Sequence, residues 1–303
     1  MVGPAPTGSI VRPAGRRVAY DDVGDPGGAP LVYLHGFPDS RLSRHPDDGI
    51  AAALGVRLVA VDRPGFGASE CDGAATYAQE AEDVVALADH LGLDRFSVVG
   101  WSSGAALALA CGAVAPCRVA AVGVLAGNPP LEADTDLGGA IDELYAARGE
   151  VVAELGARAF AEMVAPLAAP VGLDVPAALE YVREGRDATA LADLEAVYGL
   201  HRQLAVGTVV GLEAGLAGAV EDLHRQVSRW GFSLANVTVP VVLWYGTHDA
   251  MFNPAVGRWL ADRLPDATLV VIEGGSHLGV FTRWAEILTR LTDPLRSSHA
   301  VEP

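Results

Sequence analysis

The segment VVGWSSGA (residues 98–105) places two valines, a glycine, a tryptophan, two serines and a second glycine in succession. The apolar run before it, from Phe96, has the β-branched character of a buried strand. The alanine-rich run after it, to Val114, has the pattern of a helix. A strand that turns straight into a helix through Gly100-Trp101-Ser102-Ser103-Gly104 matches G-x-S-x-G, the pattern that exposes a serine at its middle position. Glycines on both sides remove Cβ atoms that so tight a turn could not hold. Ser102 is therefore the candidate nucleophile. Ser103 offers its backbone N–H at the start of a helix, where amides are unpaired and the dipole favours an anion.

Working outward, strand-like and helix-like runs alternate. Residues 17–23, 30–34, 57–61, 96–99, 119–125, 239–245 and 268–272 read as strands. Residues 48–54, 77–91, 102–114, 254–264 and 278–292 read as helices. In 77–91, Ala81, Val84, Val85, Ala88 and Leu91 fall on one helical face. This alternation predicts an α/β fold with parallel strands and helices on both faces. From 131 to 235 the pattern is helical with no clear strand, which reads as an insertion over the sheet. The chain divides accordingly into a core (1–130), a helical cap (131–235) and the second part of the core (236–303). The tail after Asp293 is polar and is expected to fray.

A serine hydroxyl is a poor nucleophile at neutral pH, so it needs a base, and the base needs an orienting carboxylate. On this architecture the acid and then the histidine should follow at later strand ends. Thr247-His248-Asp249 follows one strand and Ser276-His277 follows the next, which nominates Asp249 and His277. Glu132 and Asp134, after the sixth strand, are alternative acids. His248 reads as an exposed loop residue, and His35 as a loop-shaping one. The tetrahedral intermediate also needs two amide donors. Ser103 supplies one; the loop His35-Gly36-Phe37-Pro38 supplies the other, through Phe37. Trp101, Gly36, Met163 and Leu204 are the expected pocket residues. Asp62-Arg63-Pro64-Gly65-Phe66-Gly67 lacks any phosphate-binding pattern and reads as a structural turn.

Composition removes other classes. The formal charge of −17 disfavours nucleic acid. All 21 basic residues are arginines, so neither Schiff-base chemistry nor a P-loop lysine is available. Three cysteines make no disulfide framework and suggest no zinc site. Neither a secretory signal nor a membrane-spanning run is evident, and a cytoplasmic protein is expected.

The motifs HGFPDSR, DRPGFGAS, GWSSGA, YGTHD and GGSH, in this order, resemble those of the α/β-hydrolase superfamily over nearly the whole chain. The resemblance implies a mostly parallel eight-stranded sheet flanked by helices, with a helical cap inserted after strand six. It implies Ser102 as nucleophile, His277 as base, Asp249 as acid and Phe37 with Ser103 as oxyanion hole. It also implies a serine hydrolase acting on a medium-sized hydrophobic ester or lactone, with no cofactor and no metal. Serine at the nucleophile position argues against epoxide hydrolases and haloalkane dehalogenases, which use aspartate. Lyase, C–C hydrolase or acyltransferase chemistry on the same scaffold stays open. So does a proline-iminopeptidase-like activity, in which Glu213, Glu221 and Asp222 would catch a substrate ammonium. A ligand receptor and a homodimeric state also stay open.

Overall fold

Eight strands form one sheet in the order β1-β2-β4-β3-β5-β6-β7-β8. They are β1 (Gly8–Val11), β2 (Arg17–Gly24), β3 (Ala29–Leu34), β4 (Val56–Val61), β5 (Phe96–Trp101), β6 (Val119–Leu125), β7 (Val241–Gly246) and β8 (Ala267–Ile272). β1 and β2 pair antiparallel, as do β2 and β4; every other neighbour is parallel. The computed structural model describes residues 3–12, 15–71, 73, 76–131, 137, 140–169 and 174–299.

The central strands are buried on both faces, so they read as continuous apolar runs rather than alternating ones. Alternate residues nevertheless serve different layers. Val32, Leu34, Val98, Val122, Val124 and Leu243 pack with α2 (Tyr77–His90), α3 (Gly104–Val114) and α10 (Pro254–Ala261). Leu31, Tyr33, Val99, Leu125 and Trp244 pack on the other face with α1 (Gly49–Ala53) and α11 (Trp284–His299). α3 is apolar almost all round, and its residues from Gly104 to Gly112 are buried, as a helix wedged between sheet and neighbouring elements requires.

Between β6 and β7 lie α4 (Ala140–Leu155), α5 (Ala157–Ala168), α6 (Val175–Arg183), α7 (Ala188–Ala196), α8 (Leu200–Gly211) and α9 (Ala217–Gln226), with no strand among the described residues there.

Three pattern-based expectations change. The short strand β1, half exposed at the sheet edge, is absent from the pattern because four residues with one buried side chain carry too little periodicity. The expected helix at 278–292 splits into a 3-10 turn (Gly279–Arg283) followed by α11. The described part of the tail, to His299, does not fray after Asp293: α11 runs through it, with Leu291 and Leu295 buried and Arg296 bonding the Leu54 carbonyl. Two apolar residues a turn apart hold the last turns on the core.

Candidate active site

β5 ends at Trp101 and the chain reverses through Ser102, whose φ of 53° lies in the left-handed region. That conformation costs a non-glycine residue roughly 1–3 kcal/mol. It is held by the Ser102 N–H bonding the Leu125 carbonyl at 2.8 Å and by the Ala105 N–H bonding the Ser102 carbonyl at 3.0 Å. The flanking glycines are required by close approach. A Cβ on Gly100 would sit 2.2 Å from the Gly104 carbonyl oxygen, and one on Gly104 would sit 2.4 Å from that of Leu34.

The loops after β7 and β8 meet because the His248 N–H bonds the Gly275 carbonyl at 2.9 Å and the Thr247 N–H bonds that of Ile272 at 3.1 Å. This contact sets Asp249 Oδ2 2.8 Å from His277 Nδ1. Asp249 Oδ1 is fully engaged by the N–H groups of Met251 (2.8 Å) and Phe252 (3.0 Å), which lock the carboxylate plane. The His277 ring packs against Trp101 and Phe252, with ring centres 5.7 and 6.0 Å away. With Nδ1 bound to the carboxylate, Nε2 is the nitrogen left for a reacting group. His277 and Ser102 line the same cavity. Asp193 of α7 steadies the histidine loop, since its Oδ2 accepts both the N–H and the hydroxyl of Ser276 at 2.7 Å.

Among the described residues, no acceptor receives the N–H of Phe37 or of Ser103. Gly36 backs the site: a side chain there would press on Ser102 Cβ at 3.1 Å. His35 is fully buried and has both ring nitrogens in use. Nε2 accepts the Arg63 N–H at 3.0 Å, so Nδ1 carries the proton and donates to the Gly36 carbonyl at 2.8 Å. Burial first, and the neighbouring Arg63 charge second, hold His35 well below the usual histidine range, so it stays neutral. It shapes the loop and does not face the cavity.

The cavity holds about 650 Å³. Trp101 and Leu204 line it, with Phe37, Pro38, Val182 and Met251. Met163 does not: it is 48% exposed on the outer side of α5, because the inward face of that helix is taken by Phe160, Ala161 and Ala165. The wall from the α6–α7 connection is charged rather than apolar, contributing Glu184, Arg186 and Asp187. Asp39 also lines it and is buried, bonded by the Ser43 and Thr208 hydroxyls at 2.7 and 3.0 Å. Burial raises its carboxyl to about 6 against the pull of those hydroxyls. Glu213, Glu221 and Asp222 are not cavity residues: Glu213 is exposed, Glu221 pairs with Arg158, and Asp222 is fully buried against Arg63. Glu132 and Asp134 lie outside the described residues. His248 is exposed, as expected, though at the cavity mouth.

Arg63, Asp193 and Asp39 escape the motif reading. Arg63 leaves the one usable signal, a charged residue two positions after a buried strand and directly before Pro64-Gly65. Among the described residues, no cluster of three or more His, Cys, Asp or Glu could hold a metal ion, and no helix is long and apolar enough to cross a membrane. Among the described residues no disulfide forms, and Cys117 is exposed.

A family model for the α/β-hydrolase fold matches residues 29–283. The chain is 36% identical over 128 residues to the dihydrolipoyllysine-residue acetyltransferase component of the acetoin cleaving system of Pseudomonas putida. That match takes in 41% of this chain and only 33% of the relative's length. It is 29% identical to rhodomycin D methylesterase DauP of Streptomyces sp. (strain C5), over 85% of this chain and 87% of the relative. In fold it is similar to a solved carboxylesterase structure from the thaumarchaeon Nitrososphaera gargenis, with a TM-score of 0.66 and 20% identity, covering 96% of this chain and 100% of that one.

Proposed function

This chain belongs to the α/β-hydrolase fold family, and we propose that within it the protein is a serine hydrolase cleaving a medium-sized carboxylic ester or lactone through an acyl-enzyme. One observation carries the proposal: Ser102, held at φ 53° on the turn after β5, shares a cavity with His277, whose Nδ1 is 2.8 Å from Asp249. A serine, a base with one free nitrogen and an orienting carboxylate form the constellation that activates a hydroxyl. Ester cleavage is also what the names of the streptomycete methylesterase and the thaumarchaeal carboxylesterase describe for those proteins.

Ser102 Oγ attacks the ester carbonyl carbon while its proton passes to His277 Nε2. The oxygen of that carbonyl becomes an oxyanion and is received by the amides of Phe37 and Ser103. Asp249 stabilises the imidazolium, which returns the proton to the leaving alkoxide as the C–O bond breaks. Water, deprotonated by His277, then adds to the acyl-enzyme; collapse releases the carboxylic acid and restores Ser102.

The helical block within 131–235 acts as the cap that sizes the substrate. Trp101, Leu204 and Val182 favour an apolar group on one side, and the Glu184–Asp187 wall leaves a polar group on the other. A fluorophosphonate probe should label the wild type and not Ser102→Ala, and p-nitrophenyl ester or lactone turnover should fall about 10⁴-fold or more in the variant while its circular dichroism is unchanged. Labelling or turnover retained in Ser102→Ala overturns the assignment.

A further inference from the structure

We propose that Arg63 is a positioning residue for the oxyanion hole: its single guanidinium, neutralised by Asp222 of the helical block, aligns both peptide segments that present donor amides. The inference rests on the serine-hydrolase reading above.

Arg63 follows β4 and is fully buried. Its Nη2 donates to Ser103 Oγ at 2.9 Å, to the Gly36 carbonyl at 3.3 Å and to Asp222 Oδ2 at 3.1 Å, while Nη1 bonds Asp222 Oδ1. Gly36 C=O and Phe37 N–H belong to one peptide unit. That unit is planar and trans, so its carbonyl and N–H point in opposite directions. Donors fixed on the Gly36 oxygen therefore aim the Phe37 N–H. They also polarise it, since a carbonyl that accepts hydrogen bonds makes its own N–H a stronger donor.

Arg63 reaches this oxygen twice. It does so directly, and again through its backbone N–H, which sets the His35 tautomer that donates to Gly36 at 2.8 Å. The same guanidinium holds Ser103 by its hydroxyl, beside the second donor amide. No other described side chain bonds both Gly36 and Ser103.

A buried guanidinium needs an anion. Here it comes from α9, 159 positions along the chain. Asp222 also receives Gln226 Nε2 at 3.0 Å and has Arg225 at 3.8 Å; Arg225 in turn pairs with Glu80 of α2 at 3.1 Å. Seating of the helical block thus supplies the charge that lets Arg63 stand behind the oxyanion site.

Arg63→Lys separates positioning from simple anchoring. Lysine keeps the charge opposite Asp222 but loses the fork that reaches Ser103 and Gly36 together. Competent serines are titrated with the fluorophosphonate, so that kcat is expressed per reactive site in the folded protein. The expected result is a fall in kcat of about 10- to 50-fold, less than the 10²–10³ that follows complete loss of an oxyanion donor. KM should stay within about threefold, and affinity for a trifluoromethyl ketone should fall in parallel with kcat. Unchanged kcat per titrated site, or a loss confined to KM, overturns the proposal. Should Arg63→Lys fail to fold, Ser103→Ala removes one acceptor of the guanidinium and keeps the amide; it should lower kcat about 3- to 10-fold, and wild-type kcat overturns the proposal. If the wild type itself neither labels nor turns over esters, the hydrolase reading fails, a result distinct from any behaviour of these variants.

Discussion

The strand-end loops and the helical block face each other across one cavity, yet they are built by different rules. The loops after β3, β5, β7 and β8 carry Phe37, Ser102, Asp249 and His277, each pinned by backbone hydrogen bonds or by glycine contacts too close for a side chain. The block carries none of these groups. What it contributes is a wall, through Leu204, Thr208, Tyr181 and the 184–187 connection, and two carboxylates that reach back to the core. Asp193 holds Ser276 beside the histidine, and Asp222 holds Arg63 against Gly36 and Ser103. The difference teaches that the candidate reacting groups sit at strand ends, while two of their loops are also bonded, directly or through Arg63, by carboxylates of a region that looks like mere covering.

The comparison can be broken first at the strand ends. Asp249→Asn leaves the shape of the site but can donate where the carboxylate accepted, favouring the wrong histidine tautomer. A fall in kcat on the order of 10⁴ is expected in steady-state ester assays, with little change in KM. A loss under tenfold would mean that another carboxylate orients His277. On the side of the helical block, Asp193→Ala strips Ser276 of its acceptor for both N–H and hydroxyl. It should lower kcat roughly tenfold and cost about 1–3 kcal/mol in urea unfolding. If stability falls and kcat per titrated site does not, the block covers the site without aligning it.

A third effect concerns pH. Asp39 titrates at about 6 in the folded protein and near 3.8 when unfolded, so the unfolded chain releases its proton first as pH rises. Its favourable contribution is complete below about pH 4 and is lost as pH rises through 6. Relative to Asp39→Asn, which does not titrate, the wild type should lose up to roughly 3 kcal/mol of unfolding free energy between pH 4 and 7. Urea titrations of both proteins across that range test this. A constant difference would show that Asp39 stays ionised, held by Ser43 and Thr208.

Much of this arrangement was legible in the order of residues. G-x-S-x-G after an apolar run, then an acid and a histidine at later strand ends, identified Ser102, Asp249 and His277 as the groups that share a site, because a strand-to-helix turn is a local event governed by neighbouring residues. Phe37 and Trp101 followed from adjacency to those turns. Leu204 was placed in the cavity wall, whereas Met163, on the same grounds of helical apolarity, faces outward. A helical stripe says which residues share a face but not what that face meets. Asp222 read as a ligand for a substrate ammonium, and Arg63 as part of a structural turn. Each is the other's buried counter-ion.

The sequence by itself determined the alternating α/β core, the place of the helical block and the residues at the strand ends. All of these rest on short-range periodicity and turn chemistry. Only the tertiary structure decided which wall of the cavity is charged, which apolar side chains line it, and that Arg63 bonds both Gly36 and Ser103 while Asp193 bonds Ser276 beside the histidine. The last two outcomes depend on pairs of groups separated by 159 and 83 positions. Whether a charge is solvated or buried against a partner depends on what folding brings to it, and no local pattern of residues encodes that encounter.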